Sequence, residues 1–244
     1  MKKYIPAVSL VVLFLVIWEV IARMVHIMFL FPSPLAIGIR LWELRTELLF
    51  NHLPATLLIT LTGLAVSIIL GIGLAMLMHI SKLVEKALYP ILITSQTIPV
   101  IALAPIFILW FGYSIWGKVV MTILLTFFPI TVSTIDGFRS SDKQIEELLL
   151  TMGASKKDIF FKLYVPSAVP HFFSGLKVAI PLSVIGAAIG EWLGAQSGLG
   201  YFSRRMMTQF DGAAVFAPIV LLSMMGIVLF ILVIFTERWI LKWR

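Results

Sequence analysis

Cysteine is absent from the 244 residues, which excludes disulfide frameworks, thiolate metal sites and thiol redox chemistry. Charge is scarce. Only 13% of residues are Asp, Glu, Lys or Arg, roughly half the share of an ordinary soluble domain. The four histidines, His26, His52, His79 and His171, are scattered without ligand spacing, so no metal site is expected. No Ser/His/Asp set, no HExxH and no converging carboxylates occur, which leaves no catalytic constellation. Repeats of solenoid period and low-complexity tracts are also missing. The net charge of +7 invites a nucleic-acid reading. The charges lie between apolar runs and form no basic stripe, so nucleic acid is not an expected partner.

Apolar sequence is abundant: 60% of the chain is hydrophobic and the mean hydropathy is +1.05. A membrane span needs about 20 mostly apolar residues. Six stretches qualify, at 5–27, 55–78, 88–111, 117–137, 173–195 and 216–237. The expected fold is therefore an all-α integral membrane bundle, because each helix satisfies its own backbone in lipid. "MKKYIPAVSLVVLFLVIWEVIARMV" starts like a signal peptide, but its apolar run is too long and no small-residue cleavage site follows. It reads as a retained first span, residues 1–28, followed by an extracytoplasmic connector, 29–54, and a five-span core, 55–244. In the connector, Leu41, Leu44, Leu48 and Leu49 share a helical face that fits either a surface helix or a packed connector.

Lys and Arg fix the orientation. With the N-terminus inside, Lys2, Lys3, Lys82, Lys86, Arg139, Lys143, Lys156, Lys157, Lys162, Lys177, Arg238, Lys242 and Arg244 face the cytoplasm. Arg23, Arg40, Arg45, Lys118, Arg204 and Arg205 face outward, so the split is thirteen against six. Both termini are expected in the cytoplasm. The largest cytoplasmic loop is then 138–172.

That loop contains "EELLLTMGASKKDIFFKLYVPSAVP", residues 146–170, a cationic and amphipathic passage between greasy spans. It reads as two short helices. Ser141 with Gln144 starts the first. Ile145, Leu148, Leu149 and Met152 form its apolar stripe, and Gly153 stops it. Ser155 with Asp158 starts the second. Ile159, Phe160, Leu163 and Tyr164 form its apolar side, and Pro166 is expected to end it. Such a pair either lies on the membrane surface or docks in a groove of a soluble partner.

The spacing within this loop resembles that of bacterial ATP-driven importer permeases, whose loop reads Glu-Ala-Ala, three residues, Gly, nine residues, Ile-x-Leu-Pro. Here Glu147, Gly153 and Pro166 fall in register. Leu148 and Leu149 replace the alanines, and Leu163 and Val165 replace Ile and Leu. "FPSPLAIG", "HLPATLLITLTGLAVSIILGIGLAMLM", "TIPVIALAPIFILWFG", "FFPITVSTIDGF" and "GEWLGAQSGLGYF" extend the likeness from about residue 31 to the end. They look like permeases of the sulfonate, taurine and nitrate type, a group that includes permeases for pyrimidine precursors of thiamine.

The resemblance implies a permease subunit in the bacterial cytoplasmic membrane. It implies a second permease copy, a separate ATPase that binds ATP and magnesium, and an extracytoplasmic substrate-binding protein. This chain itself would need no cofactor and would not be an enzyme. The resemblance also gives the loop a role as the segment that couples to the ATPase, through Glu147, Leu148, Leu149, Gly153, the adjoining Ala154, Leu163 and Pro166.

Other residues stand out on their own chemistry. "GYSIWGKV" at 112–119 nearly matches a P-loop, but Val119 replaces the magnesium-binding hydroxyl and no strand is expected before it. ATP hydrolysis therefore falls to another chain. Gly186, Gly190, Gly194 and Gly198 recur every four residues. They permit close helix packing, either within the chain or across a dimer. Glu191, a carboxylate in an apolar helix, is a candidate for the pathway or its gate. The alternative is that it snorkels or pairs with Arg204 or Arg205. In the third span, Thr94, Ser95, Gln96 and Thr97 precede Pro99, and Pro105 follows. The prolines bend the helix, and Gln96, Thr97 and Pro99 are candidates for a polar lining. Glu19 and Arg23 read as an i, i+4 pair. Asp136 either faces water or anchors the loop. An ion-gradient-driven transporter is the alternative function. It would call for more buried ionisable residues and an inverted repeat.

Overall fold

The computed structural model describes residues 5–25, 27 and 29–242. Lys2, Lys3, His26 and Arg244 lie outside the described residues. The described chain is helical, with no strand among these residues. In order, the helices are α1 Ile5–Val25, α2 Pro34–Glu43, α3 Arg45–Glu47, α4 Leu53–Ile80, α5 Lys82–Ser95, α6 Ala104–Phe111, α7 Ile115–Arg139, α8 Lys143–Thr151, α9 Lys156–Ile159, α10 Val165–Gly194, α11 Leu199–Thr208 and α12 Gly212–Ile240. A π turn, Leu48–His52, joins α3 to α4, and another, Phe160–Tyr164, joins α9 to α10.

Five of the expected spans are single helices long and apolar enough to cross a bilayer. The third is not straight. Residues 88–111 divide between Lys82–Ser95 and Val100–Phe111, which are bent by 90°. Proline explains the break. Pro99 lacks an amide proton, and Pro105 sits in the first turn of α6, where no proton is needed.

The centre of the bundle is α7, packed between α4 and α10. Hydrocarbon gives apolar helices little reason to associate, so small residues and hydroxyls carry the contact. A β-carbon on Gly186 would lie 2.8 Å from the Thr122 Cα, and one on Gly190 would lie 2.9 Å from the Lys118 Cα. Gly186 and Gly190 are thus used within the chain against α7, whereas Gly194 faces Tyr113 and Gly198 faces Glu191. Buried hydroxyls satisfy themselves on the preceding turn, as Thr126 does on the Thr122 carbonyl at 2.7 Å. Ser67 of α4 and Thr126 of α7 share a 2.5 Å hydrogen bond across the interface.

Each end of this core is closed differently. At one end, Ala75, Met78, Ile135, Phe138 and Ala168 form a cluster beneath α8 and α9. At the other, Leu48, Leu199, Phe202, Ala214 and Ala217 join α11 and α12 to the connector. Leu48 is fully buried and Leu41 and Leu44 pack on this cluster, whereas Leu49 is exposed. The connector is therefore packed. Ser33 caps α2 by accepting the Ala36 N–H, and Pro34 occupies its first turn. α1 stands outside the core. Trp18 touches Phe31 and Phe216, and Glu19 holds both Arg23, at 2.7 Å, and the Leu35 N–H, at 3.0 Å.

Candidate functional site

The first candidate region is the loop between α7 and α10. Arg139, at the end of α7, pairs with Glu85 of α5 and with Asp136 at 3.3 Å, and lies over the Tyr89 ring. Asp136 thus helps anchor the loop. The cap of α8 is Asp142, whose carboxylate accepts the Gln144 N–H at 2.8 Å. This replaces the expected Ser141–Gln144 start. The Ser141 hydroxyl is turned back onto the Phe138 carbonyl, which leaves the next residue to cap.

Gly153 ends α8 at φ +80°. Its N–H donates to the Leu150 carbonyl and the Ala154 N–H to the Leu149 carbonyl, each at 3.0 Å. These two bonds satisfy carbonyls that the helix end would otherwise leave open. Ser155 and Asp158 then form a reciprocal capping box for α9.

Pro166 does not end that helix. The chain runs on from α9 through the π turn into α10, with Pro166 in the first turn of α10. An i→i+5 turn widens the backbone where the proline ring would strike the preceding turn. The apolar side of the second helix faces inward. Ile159 and Leu163 are buried, and Phe160 and Tyr164 pack around His79. Leu163 therefore holds the loop to the bundle.

α8 projects the other way. Ile145, Leu148, Leu150 and Met152 are exposed, Met152 by 74%. Glu147 is exposed as well, while Leu149 and Ala154 are half-buried. Leu150 is exposed on the other side of α8, in a groove with His79 and Phe160, so the apolar stripe remains Ile145, Leu148, Leu149 and Met152.

The second region is the break between α5 and α6. Gln96 and Thr97 are exposed there, as are Thr94, Ile98 and Pro99. Thr94 and Thr97 turn their hydroxyls onto the carbonyls of Pro90 and Thr94, at 2.9 and 2.7 Å. Val100 and Leu103, just beyond the break, pack in one cluster with Met121 and Leu124 of α7. Leu124 is nine residues from the start of α7 and fifteen from its end, or about 14 and 22 Å along the axis. The break therefore lies at mid-bundle depth.

The third region is the junction of α4, α10 and α11. Glu191 is 1% exposed. It neither snorkels nor pairs with Arg204 or Arg205. Arg204 donates to the Trp192 carbonyl, and Arg205 faces Glu47 at 3.7 Å. Glu191 Oε2 instead accepts the Gly200 N–H at 2.7 Å. The two preceding amides are also held. Leu199 N–H donates to Thr56 Oγ1 at 2.8 Å, and Gly198 N–H donates to His52 Nδ1 at 3.1 Å. Three successive amides at the start of α11 thus meet three side chains, two from α4 and its approach and one from α10. Anionic and lone-pair acceptors suit a helix N-terminus. Gly198, at φ +121°, leaves room for the Glu191 carboxylate, onto which a β-carbon would fall.

Sequence reasoning missed His52 and Thr56. Their i, i+4 spacing puts them on one helix face, a signal too common to single out. The P-loop-like stretch is preceded by helix α6, and its Lys118 packs against Gly190 inside the bundle.

The family model for the "Binding-protein-dependent transport system inner membrane component" matches residues 67–242. The chain belongs to this family. It is 58% identical over its whole length to the formylaminopyrimidine transport permease protein ThiX of Halalkalibacterium halodurans, covering 99% of that protein. It is 32% identical to the riboflavin transport system permease protein RibX of Chloroflexus aurantiacus, over 98% of this chain and 91% of that one. It is 30% identical to the putative aliphatic sulfonates transport permease protein SsuC of Bacillus subtilis, over 93% of this chain and 83% of that one. A solved structure titled "Crystal structure of an amino acid ABC transporter with histidines" shares the fold, with a TM-score of 0.62 and 16% identity, over 80% of this chain and 94% of that one.

This binding-protein-dependent permease is thus an inner-membrane transport component and not an enzyme. Its family implies work alongside an ATPase and a substrate-binding protein. Nothing in the comparisons favours an ion-gradient-driven transporter.

Proposed function

We propose that this permease forms, with a second copy of itself, the pathway for a formylaminopyrimidine-type precursor of thiamine. The observation that carries the substrate class is the relative of that printed function, 58% identical along the full chain. The uncharged side chains at the α5–α6 break agree with it. An anion such as a sulfonate or nitrate would be left without a countercharge among Thr94, Ser95, Gln96 and Thr97.

α8 is the part that meets the ATPase. Ile145, Leu148, Leu149 and Met152 insert in the partner, and Glu147 and the Gly153 turn set the angle of approach. Leu163 and Pro166 hold this knob to α10. The ATPase binds ATP and magnesium, and this chain binds neither. Both termini and α8 lie in the cytoplasm, and α11 lies outside. Glu191 fixes α11 over the outer end of the pathway, so a gating role passes through that helix.

Deleting the gene for this chain should abolish uptake of radiolabelled formylaminopyrimidine by intact cells, and restoring the gene should recover it. Unchanged uptake in the deletion strain contradicts the assignment.

A further inference from the structure

A groove of about 620 Å³ opens between the end of α4 and the loop helices α8 and α9. Ile80, Leu150 and Phe160 give it apolar walls, and Glu146, Lys156 and Lys157 supply its charge. Leu150 lies across α8 from the stripe of Ile145, Leu148, Leu149 and Met152, so the groove opens behind the face that meets the motor. Its depth follows from α7. That helix has 25 residues and is about 37 Å long. This exceeds the roughly 30 Å of hydrocarbon and falls short of the about 40–45 Å that includes the headgroups. Both ends of α7 therefore rest among headgroups. His79, in the groove wall, lies 4.7 Å from the ring of Phe138, the penultimate residue of α7. The groove is thus level with the headgroups. Ile80 and Leu83 are exposed where α4 turns into α5 and give an acyl chain an apolar path out of it.

The charges favour one class of headgroup. Neighbouring cations are already matched: Lys162 meets Asp158 at 3.0 Å, and Arg139 meets Glu85 and Asp136. Lys156 and Lys157 have no carboxylate within 4 Å among the described residues. Glu146 is at the inner wall, within electrostatic reach of His79 and Tyr164. Two ammonium groups against one carboxylate leave an excess of positive charge. A phosphodiester balances it, whereas a choline headgroup brings a further cation. We infer that this groove binds an anionic phospholipid of the cytoplasmic leaflet, of the phosphatidylglycerol type. Its phosphate meets Lys156 and Lys157, its glycerol hydroxyls donate to Glu146, and an acyl chain runs along Leu150 and Ile80. Bound there, the lipid braces α8 from behind. This rests on the orientation and the role of α8 proposed above, and it does not depend on the solute carried.

The test titrates the intact permease–ATPase complex in detergent with dioleoylphosphatidylglycerol or dioleoylphosphatidylcholine, and native mass spectrometry reads the tightest binding step. Wild type should prefer the glycerol lipid. Lys156→Gln with Lys157→Gln should weaken its binding by about thirtyfold. Lys82→Gln with Lys86→Gln removes the same charge outside the groove lining and should leave binding near wild type. Leu150→Trp fills the groove without a change of charge and should also weaken binding. The ATPase should stay in every complex. An undiminished preference in the Lys156 and Lys157 variant overturns the site. An equal loss in the Lys82 and Lys86 variant does the same, because the attraction is then general to the surface. Glycerophosphoglycerol, the headgroup without chains, should compete only weakly. Competition at the concentration of the lipid identifies a soluble phosphate ligand and overturns the lipid assignment. In each of these outcomes the ATPase remains bound and the role of α8 stands. If Leu150→Trp expels the ATPase, this face of α8 meets the motor, and the role given to the opposite stripe fails together with the lipid site.

Discussion

The Gly198 N–H donates to His52 Nδ1 at 3.1 Å, across 146 residues of sequence. This bond, with those from Leu199 to Thr56 and from Gly200 to Glu191, fastens α11 to the start of α4 and the end of α10. His52→Ala leaves the buried Gly198 amide without an acceptor, which costs about 1–3 kcal/mol. His52→Gln supplies an amide oxygen and should recover part of the loss. Gly198→Ala meets both the Glu191 carboxylate and an unfavourable φ of +121°, so it should cost at least about 2 kcal/mol. Thermal unfolding of the purified complex reads all three. Unchanged midpoints would contradict the junction's role.

The Gly153 turn separates backbone from bulk. Nothing lies within 4 Å of a β-carbon at this position, yet φ is +80°. Gly153→Ala therefore strains the turn by about 1–2 kcal/mol without a clash. The transporter should still assemble in the membrane, while ATP hydrolysis loses its dependence on transported solute. Normal solute-stimulated hydrolysis in a Gly153→Val variant would count against α8 as the coupling element.

Gly186 and Gly190 test the packing of the core. Leucine at either position pushes α10 off α7, where backbone atoms of Thr122 and Lys118 lie within 3 Å of the new β-carbon. Overpacking of this kind costs about 1–3 kcal/mol or more. Membrane yield and thermal midpoint should fall together. Full yield at an unchanged midpoint would show that α7 and α10 are not held this closely.

Lys177 of α10 and Glu237 of α12 are joined by two contacts of 2.9 and 3.0 Å, both side chains being largely covered. Removing one partner strands a charge in an apolar setting. Lys177→Met or Glu237→Gln alone should therefore destabilise by about 2 kcal/mol, and the double variant should recover most of it. Additive losses in a double-mutant cycle would exclude the pairing.

Much of this architecture was legible because lipid restricts the options. Long apolar runs gave five of the spans directly, and Gly153 with the Ser155–Asp158 box gave the turn between α8 and α9. The 90° break was foreshadowed by Pro99 and Pro105, but the depth and angle come from packing on Met121 and Leu124, which spacing does not encode. Pro166 misled for a local reason: the π turn before it absorbs the ring, so the helix continues. Glu191 was visible as an unusual carboxylate. Its partner was not, because the Gly200 N–H is brought to it only by the fold of α11. The glycine stripe pointed to close packing without saying against what, and the answer for Gly186 and Gly190, α7, is a tertiary fact.

The lack of cysteine in this chain makes one measurement especially direct. A single Met152→Cys on the exposed face of α8 gives a unique attachment point for a short thiol-to-amine crosslinker. Val178→Cys, exposed on the apolar surface of α10, is the control. In native membranes, Met152→Cys should yield a one-to-one adduct with the ATPase, identified by mass spectrometry, and Val178→Cys should yield none. Absence of the Met152→Cys adduct from a transporter that still imports solute would contradict α8 as the point where this permease meets its motor.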